Sequence, residues 1–140
     1  MKILFVVLAL QLSCAPAKMP QDTQCINWEK AKSFKIYRWP YAKYLPDLTW
    51  NVIDSLQGAE ISVSDFRRIL STSTCDDSKK YTWKVYFLGV VTTEDGERHK
   101  LIVSSRGDVI REPEKSLYTL PDDSVNEWGT LIKEAASKLK

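Results

Sequence analysis

The chain has 140 residues, 27% of them charged and 44% apolar, and 20 Lys and Arg against 18 Asp and Glu leave a formal net charge of +2. That length and balance fit one globular domain with a hydrophobic core of its own. They exclude a nucleic-acid binder, which needs a concentrated basic surface, so no nucleic acid is expected among its partners.

Lys2 precedes an apolar run from Ile3 to Leu10, and small residues follow at Ala15 and Ala17. A basic start, a short apolar core and a small-x-small site are the parts of an export signal. The run is shorter than the roughly 20 apolar residues a membrane-spanning helix needs. Two processing sites compete. Ala15-Pro16-Ala17 fits cleavage before Lys18, which makes residues 1–17 the signal and releases a soluble secreted protein. Leu12-Ser13-Cys14 resembles the lipobox of bacterial lipoproteins, with Gln11 departing from the aliphatic residue usual three positions before the cysteine. That resemblance implies a signal of residues 1–13, lipidation of Cys14, and a lipid-anchored periplasmic or outer-membrane location. Residues 14–24 then form a polar, Pro-containing tether, and residues 25–140 a single domain. Cys14 is discarded on one reading and lipidated on the other. Both leave Cys25 and Cys75 as one expected disulfide, which suits an oxidising compartment.

A short helix is expected over residues 26–33 and a strand or extended arm over 34–39, ended by Pro40. Residues 46–57 read as a helix: Pro46 suits its first turn, Gly58 its stop, and Leu48, Val52, Ile53 and Leu56 share one face. A second helix is expected over 64–70 with Ser64 as its cap, then a polar loop over 71–80 that holds Cys75. The alternation of Tyr81, Trp83, Val85 and Phe87 with Thr82, Lys84, Tyr86 and Leu88 is the strongest strand signal. Glu94-Asp95-Gly96 marks a turn, 99–104 a strand, Ser105-Arg106-Gly107-Asp108 a turn and 109–111 a strand, with Pro113 ending the meander. The last element is a helix that opens on a capping box, Ser124 with Glu127, and carries an apolar stripe of Val125, Trp128, Leu131, Ile132, Ala135 and Leu139. The predicted fold is α+β: a small antiparallel meander of three to four strands, covered by the C-terminal helix and by one or two N-terminal helices. The helix–strand–turn–strand order over 64–112, with its Asp95-Gly96 turn, resembles PepSY-like and related small periplasmic inhibitor domains.

Little in the sequence points to catalysis. His99 is the single histidine, set between Arg98 and Lys100, whose charges should disfavour its protonated form. It reads as a surface strand residue. One histidine and no CxxC pair offer no metal site, and five glycines leave little scope for a phosphate loop, so neither metal nor cofactor is expected. Arg106-Gly107-Asp108 matches the integrin tripeptide but reads as a glycine turn. The segment from Phe34 to Tyr44 mixes aromatic and basic residues of the kind found in binding hot spots, and Tyr37, Arg38, Trp39, Tyr41 and Tyr44 form the candidate contact surface. The expected function is therefore non-catalytic: binding, inhibiting or neutralising another envelope or exported protein. The alternatives are a structural or assembly lipoprotein docked through its C-terminal helix, and a hydrolase whose paired carboxylates would need a deep polar cleft.

Overall fold

The structure is a computed structural model that describes residues 25–40, 45–77 and 86–139. The expected export segment, Cys14, the expected tether, Tyr41, Tyr44 and the first part of the alternating run, over 81–85, lie outside them. In chain order a 3-10 turn, Trp28–Lys30, leads into β1 (Ala31–Arg38). Then come a 3-10 turn at Leu45–Asp47, α1 (Trp50–Asp54), β2 (Ala59–Ile61), α2 (Val63–Leu70) and β3 (Thr74–Asp77). The remaining elements are β4 (Tyr86–Thr93), β5 (Arg98–Ser104), β6 (Val109–Glu112), β7 (Ser116–Thr119) and α3 (Asp122–Ala136).

All seven strands join one antiparallel sheet in the order β2-β1-β4-β5-β6-β7-β3. The expected meander is present as β4 to β7, but it is the middle of a larger sheet rather than the whole of it. β1 pairs with β4 along most of its length and carries β2 on its other side, while α2 takes the chain from the β2 edge to the opposite edge, where β3 pairs with β7. Pro113 does not end the sheet. It sits in the β6–β7 hairpin, where Glu114 takes φ of 64° and the chain turns back into β7.

Alternation on the strands sorts the apolar residues onto two faces. Phe34, Ile36, Val91, Leu101, Val103, Ile110 and Tyr118 face α2 and α3, where they meet Phe66, Ile69, Leu70, Trp128 and Ile132. Tyr37, Leu88 and Val90 face the other way and meet Leu45, Leu48 and Ile53 from the α1 segment. Cover on both faces of the sheet lets the adjacent β1 residues Ile36 and Tyr37 both be buried, one on each side.

Several element ends differ from expectation for local reasons. The helix expected over 46–57 shrinks to α1 because Thr49 acts as its cap, its hydroxyl accepting from the Val52 N–H at 3.3 Å. The α2 cap position falls on Ser62, not Ser64, and the two hydroxyls lie 3.1 Å apart. The capping box expected at Ser124 is absent: α3 starts earlier, after Pro121, and Glu127 is drawn instead into an ion pair with Arg68 of α2. The apolar stripe of α3 is as expected, with Trp128, Ile132, Ala135 and Leu139 buried. The residues expected as a helix over 26–33 form the 3-10 turn and the start of β1, and the polar loop around Cys75 contains β3.

The Ser105-Arg106-Gly107-Asp108 turn packs against α3 rather than standing free. Gly107 has φ of 79°, and a Cβ there would lie 2.8 Å from the Gly129 backbone nitrogen. Gly96, at the β4–β5 turn, has φ of 86°, and a Cβ there would meet nothing within 4 Å. Both positions favour glycine, but only Gly107 also needs its missing side chain for space. Gly107→Ala is expected to destabilise by more than about 1 kcal/mol in a urea melt, and Gly96→Ala by clearly less. Equal losses at the two sites would show that the helix backbone gives way freely.

Candidate functional site

The chain before β1 closes one end of the helix-covered face. Cys25 forms a disulfide with Cys75 of β3, across a sequence separation of 50. The Ile26 N–H donates to the buried Tyr118 hydroxyl at 2.7 Å, and the Trp28 ring meets Tyr118 edge to face with centroids 5.1 Å apart. The Lys30 carbonyl accepts from the Glu94 N–H at 2.8 Å, which ties this segment to the β4–β5 turn. Between these walls opens a polar cleft of about 650 Å³. A second cleft of about 440 Å³ lies on the other side of the same segment, against Leu70, Ser71 and Ser73.

His99 and Glu112 form the floor of the larger cleft. They come from adjacent strands and point to the helix-covered face, as Leu101 and Ile110 two residues away on each strand do. His99 Nδ1 lies 3.0 Å from Glu112 Oε1, and the Lys115 ammonium donates to the same oxygen at 3.1 Å. The other imidazole nitrogen is 3.8 Å from a Glu97 oxygen on the rim. The His99 and Glu112 side chains are only 12% and 6% exposed, so the pair is screened little by water. Glu112 Oε2 is buried without a hydrogen-bond partner among the described residues.

The electrostatics follow from these contacts. The hydrogen bond to Glu112 holds the His99 imidazolium above its ordinary value, against the pull of burial. Burial would push the Glu112 carboxyl up, but the hydrogen bond and charge of His99, with the help of Lys115, bring it below the ordinary range. Asp95 on the rim is also held low, by the Thr93 hydroxyl and the Glu97 N–H. The expectation that Arg98 and Lys100 keep His99 neutral is therefore corrected. Strand alternation places both cations on the opposite face, over the Trp50 ring at 4.1 and 4.8 Å, where Arg98 pairs with Asp54 and Lys100 donates to the Leu48 carbonyl. They pin the α1 segment to the sheet.

The pair makes stability depend on pH in two directions. The imidazolium contributes fully below the ordinary histidine value of 6.5, and its contribution fades as pH rises through the raised folded value. The carboxylate contributes fully above its ordinary 4.5, and its contribution fades as pH falls through the lowered folded value. Together they contribute most between about 4.5 and about 6.5. Urea melts across that window and up to about pH 9 are expected to lose stability on the alkaline side. His99→Gln should flatten that limb, and an unchanged limb in the variant would assign it elsewhere.

The aromatic and basic segment is divided by the fold. Tyr37 is buried against Gly58 and Leu88, and burial pushes its hydroxyl up, so its ring is core and not contact surface. Arg38 is exposed and reaches the Leu139 carbonyl at 3.4 Å, and Trp39 is half-buried against the second core. Glu112 and Lys115 were not singled out as site residues from sequence. No periodic signal marks them: Val109-Ile110-Arg111-Glu112 runs apolar, apolar, charged, charged, and only the pleat of β6 places Glu112 on the side of Ile110.

Among the described residues no group of three or more His, Cys, Asp or Glu is arranged to hold a metal, and no helix is long and apolar enough to cross a membrane. Comparison with protein families, curated proteins and solved structures finds no match to this chain.

Proposed function

We propose that the protein is an exported, non-catalytic binding module that holds another envelope or exported protein, and that the cleft at the disulfide end is its recognition site. The observation that carries this reading is the His99–Glu112–Lys115 cluster, charged groups held in fixed geometry at the floor of an open cleft. Pre-organised polar groups in a cavity are what a recognition site needs. The Cys25–Cys75 disulfide supports an oxidising compartment. Export, with Cys14 either lipidated or removed, is part of the same proposal, and intact mass of the mature protein reports both.

The test is capture of partners by the mature protein from its native envelope. Glu97→Lys on the exposed rim should lose a partner that wild type retains, while Trp39→Ala keeps it. The reverse pattern would move the contact surface to the aromatic and basic segment and sink the cleft reading.

One observation favours a second reading, hydrolysis with His99 as general base. Its Nδ1 is oriented by a buried carboxylate while its other nitrogen lies near the cleft rim. Cys25 is held in the disulfide, and the Thr93 hydroxyl is bonded to Asp95 and the Glu97 carbonyl, so such a base would have to act on water. Turnover of ester or glycoside substrates that His99→Gln abolishes would establish it. As for assembly through the C-terminal helix, the apolar stripe of α3 is buried against the sheet, which leaves only its polar face for docking.

A further inference from the structure

We propose that the cleft holds a divalent transition-metal ion of the zinc and copper class, bound between His99 Nε2 and a carboxylate oxygen of Glu97. Such a site needs no partner protein and does not depend on the recognition reading. It begins with the way His99 is supported. An ionised carboxylate only accepts hydrogen bonds, so Nδ1, 3.0 Å from Glu112 Oε1, carries the proton. In the neutral ring Nε2 is then the bare nitrogen. A carboxylate behind one imidazole nitrogen is the arrangement that orients a metal-binding histidine and makes its other nitrogen more basic. Here that carboxylate is itself fixed, because the Lys115 ammonium donates to the same oxygen at 3.1 Å.

Nε2 is also within reach of a ligand. It makes no hydrogen bond among the described residues and, unlike Glu112 Oε2, it is not an unbonded atom sealed from water. Glu97 Oε1 lies 3.8 Å from it, and both residues line the cleft. Two ligand atoms about 2.0–2.2 Å from one ion stand about 3–4 Å apart. The pair is therefore spaced for a shared ion, and the Glu97 side chain, 61% exposed on the rim, has room to close the remaining gap.

The surroundings select the kind of ion. Glu94, Asp95, Glu97 and Glu112 line the cleft against Lys30 and Lys115, four negative charges against two positive, which leaves −2 with His99 neutral. An anion would join four carboxylates, whereas a dication is attracted. An imidazole beside a carboxylate suits Zn²⁺ or Cu²⁺, while Mg²⁺ and Ca²⁺ take oxygen ligands. Among the described residues no third protein ligand joins the pair, so water fills the other positions. Half the ligands of a structural zinc site should give a dissociation constant on the order of 10 µM.

Because the chain has one histidine, its imidazole resonances report the site without assignment. The groups that face the ring are Glu112, Glu97, Lys115 and, at longer range, Asp95. The intact protein is titrated with Zn²⁺ and, separately, with Mg²⁺, above the His99 midpoint, and followed by proton and long-range nitrogen NMR of the ring. Before zinc the spectra are expected to show Nδ1 protonated and Nε2 bare. Zinc should shift the ring signals saturably, with the largest change at Nε2, and Mg²⁺ should leave them in place. Glu97→Gln, on the exposed rim, should weaken zinc at least about tenfold. Calorimetry of His99→Gln should find no zinc site in the micromolar range. No response of His99 at 1 mM Zn²⁺, roughly a hundred times the expected constant, overturns the proposal. So does zinc seated on Nδ1, an equal response to Mg²⁺, or zinc affinity unchanged in Glu97→Gln. Micromolar zinc binding that survives His99→Gln places the ion elsewhere and overturns it as well.

Discussion

Replacing Cys25 and Cys75 together by serine is expected to lower stability by about 4 kcal/mol, the value that closing a loop of this length removes from the unfolded chain. Domains of this size are stable by only about 5–15 kcal/mol, so the loss is a large share of the whole. The position of the bond adds a local effect. Cys75 lies on β3, four residues long and hydrogen-bonded to β7, and Cys25 belongs to the segment that walls both clefts. In the double variant that segment keeps the Ile26–Tyr118 hydrogen bond and the Trp28–Tyr118 ring contact. It should therefore open below the global transition, with faster hydrogen exchange at Ile26 and along Thr74–Asp77 than in the sheet centre. Denaturant melts of the oxidised, reduced and double-serine proteins measure the first effect and exchange measures the second. A change under about 1 kcal/mol would mean that the unfolded chain already holds these ends together, and uniform exchange would mean that β3 does not depend on the bond.

The same bond shows which parts of the molecule were legible in the sequence. Parity pointed to the Cys25–Cys75 pair, because the third cysteine, Cys14, is expected to be discarded on one processing route and lipidated on the other. Period identified α3, where six apolar residues repeat over four turns, and the flanking turns at Asp95-Gly96 and Arg106-Gly107 identified β5. β2 and β3 were not legible. Three and four residues are too few to show a period, and their partners, Phe34 to Ile36 and Ser116 to Thr119, are distant in sequence. The sheet was underestimated for that reason, and because β7 follows Pro113, which reads as the end of the meander. The capping box is absent because α3 begins at Asp122, which places Ser124 inside the first turn, and Arg68 takes both oxygens of Glu127.

The candidate site was the least legible part. Reading Arg98 and Lys100 as neighbours of His99 ignored the pleat, which sends adjacent side chains to opposite faces. The neighbour that governs His99 is Glu112, one strand away, and only the β5–β6 register brings it within 3.0 Å. A site assembled across strands has no local spacing to betray it. The aromatic and basic segment from Phe34 to Tyr44 is divided for a different reason: its composition is that of a binding surface, but Phe34, Ile36 and Tyr37 are core on two different faces because the sheet is covered on both sides, while Arg38 is exposed.

Trp128→Ala is expected to cost about 3–5 kcal/mol, the range for truncating a large buried aromatic. Trp128 is 0% exposed and sits where α3 crosses the sheet, meeting Phe34 edge to face with centroids 5.5 Å apart. Its indole also lies beside the Gly107 turn, close enough that a Cβ on that glycine would come within 3.1 Å of Trp128 Cδ1. Deleting the ring therefore loosens both the α3 contact with β1 and the turn that α3 supports. Trp128→Phe should behave differently from the usual loss of a buried tryptophan. Its Nε1 is buried without a hydrogen-bond partner among the described residues, so the substitution removes an unmet donor instead of a bond. Removing that donor offsets part of the void left by the smaller ring, and the net change is expected within about 1 kcal/mol. Urea melts of the two variants against wild type decide the point. A Trp128→Phe loss close to that of Trp128→Ala would show that the indole N–H is bonded, by a bound water, and that this hydrogen bond holds α3 to the sheet.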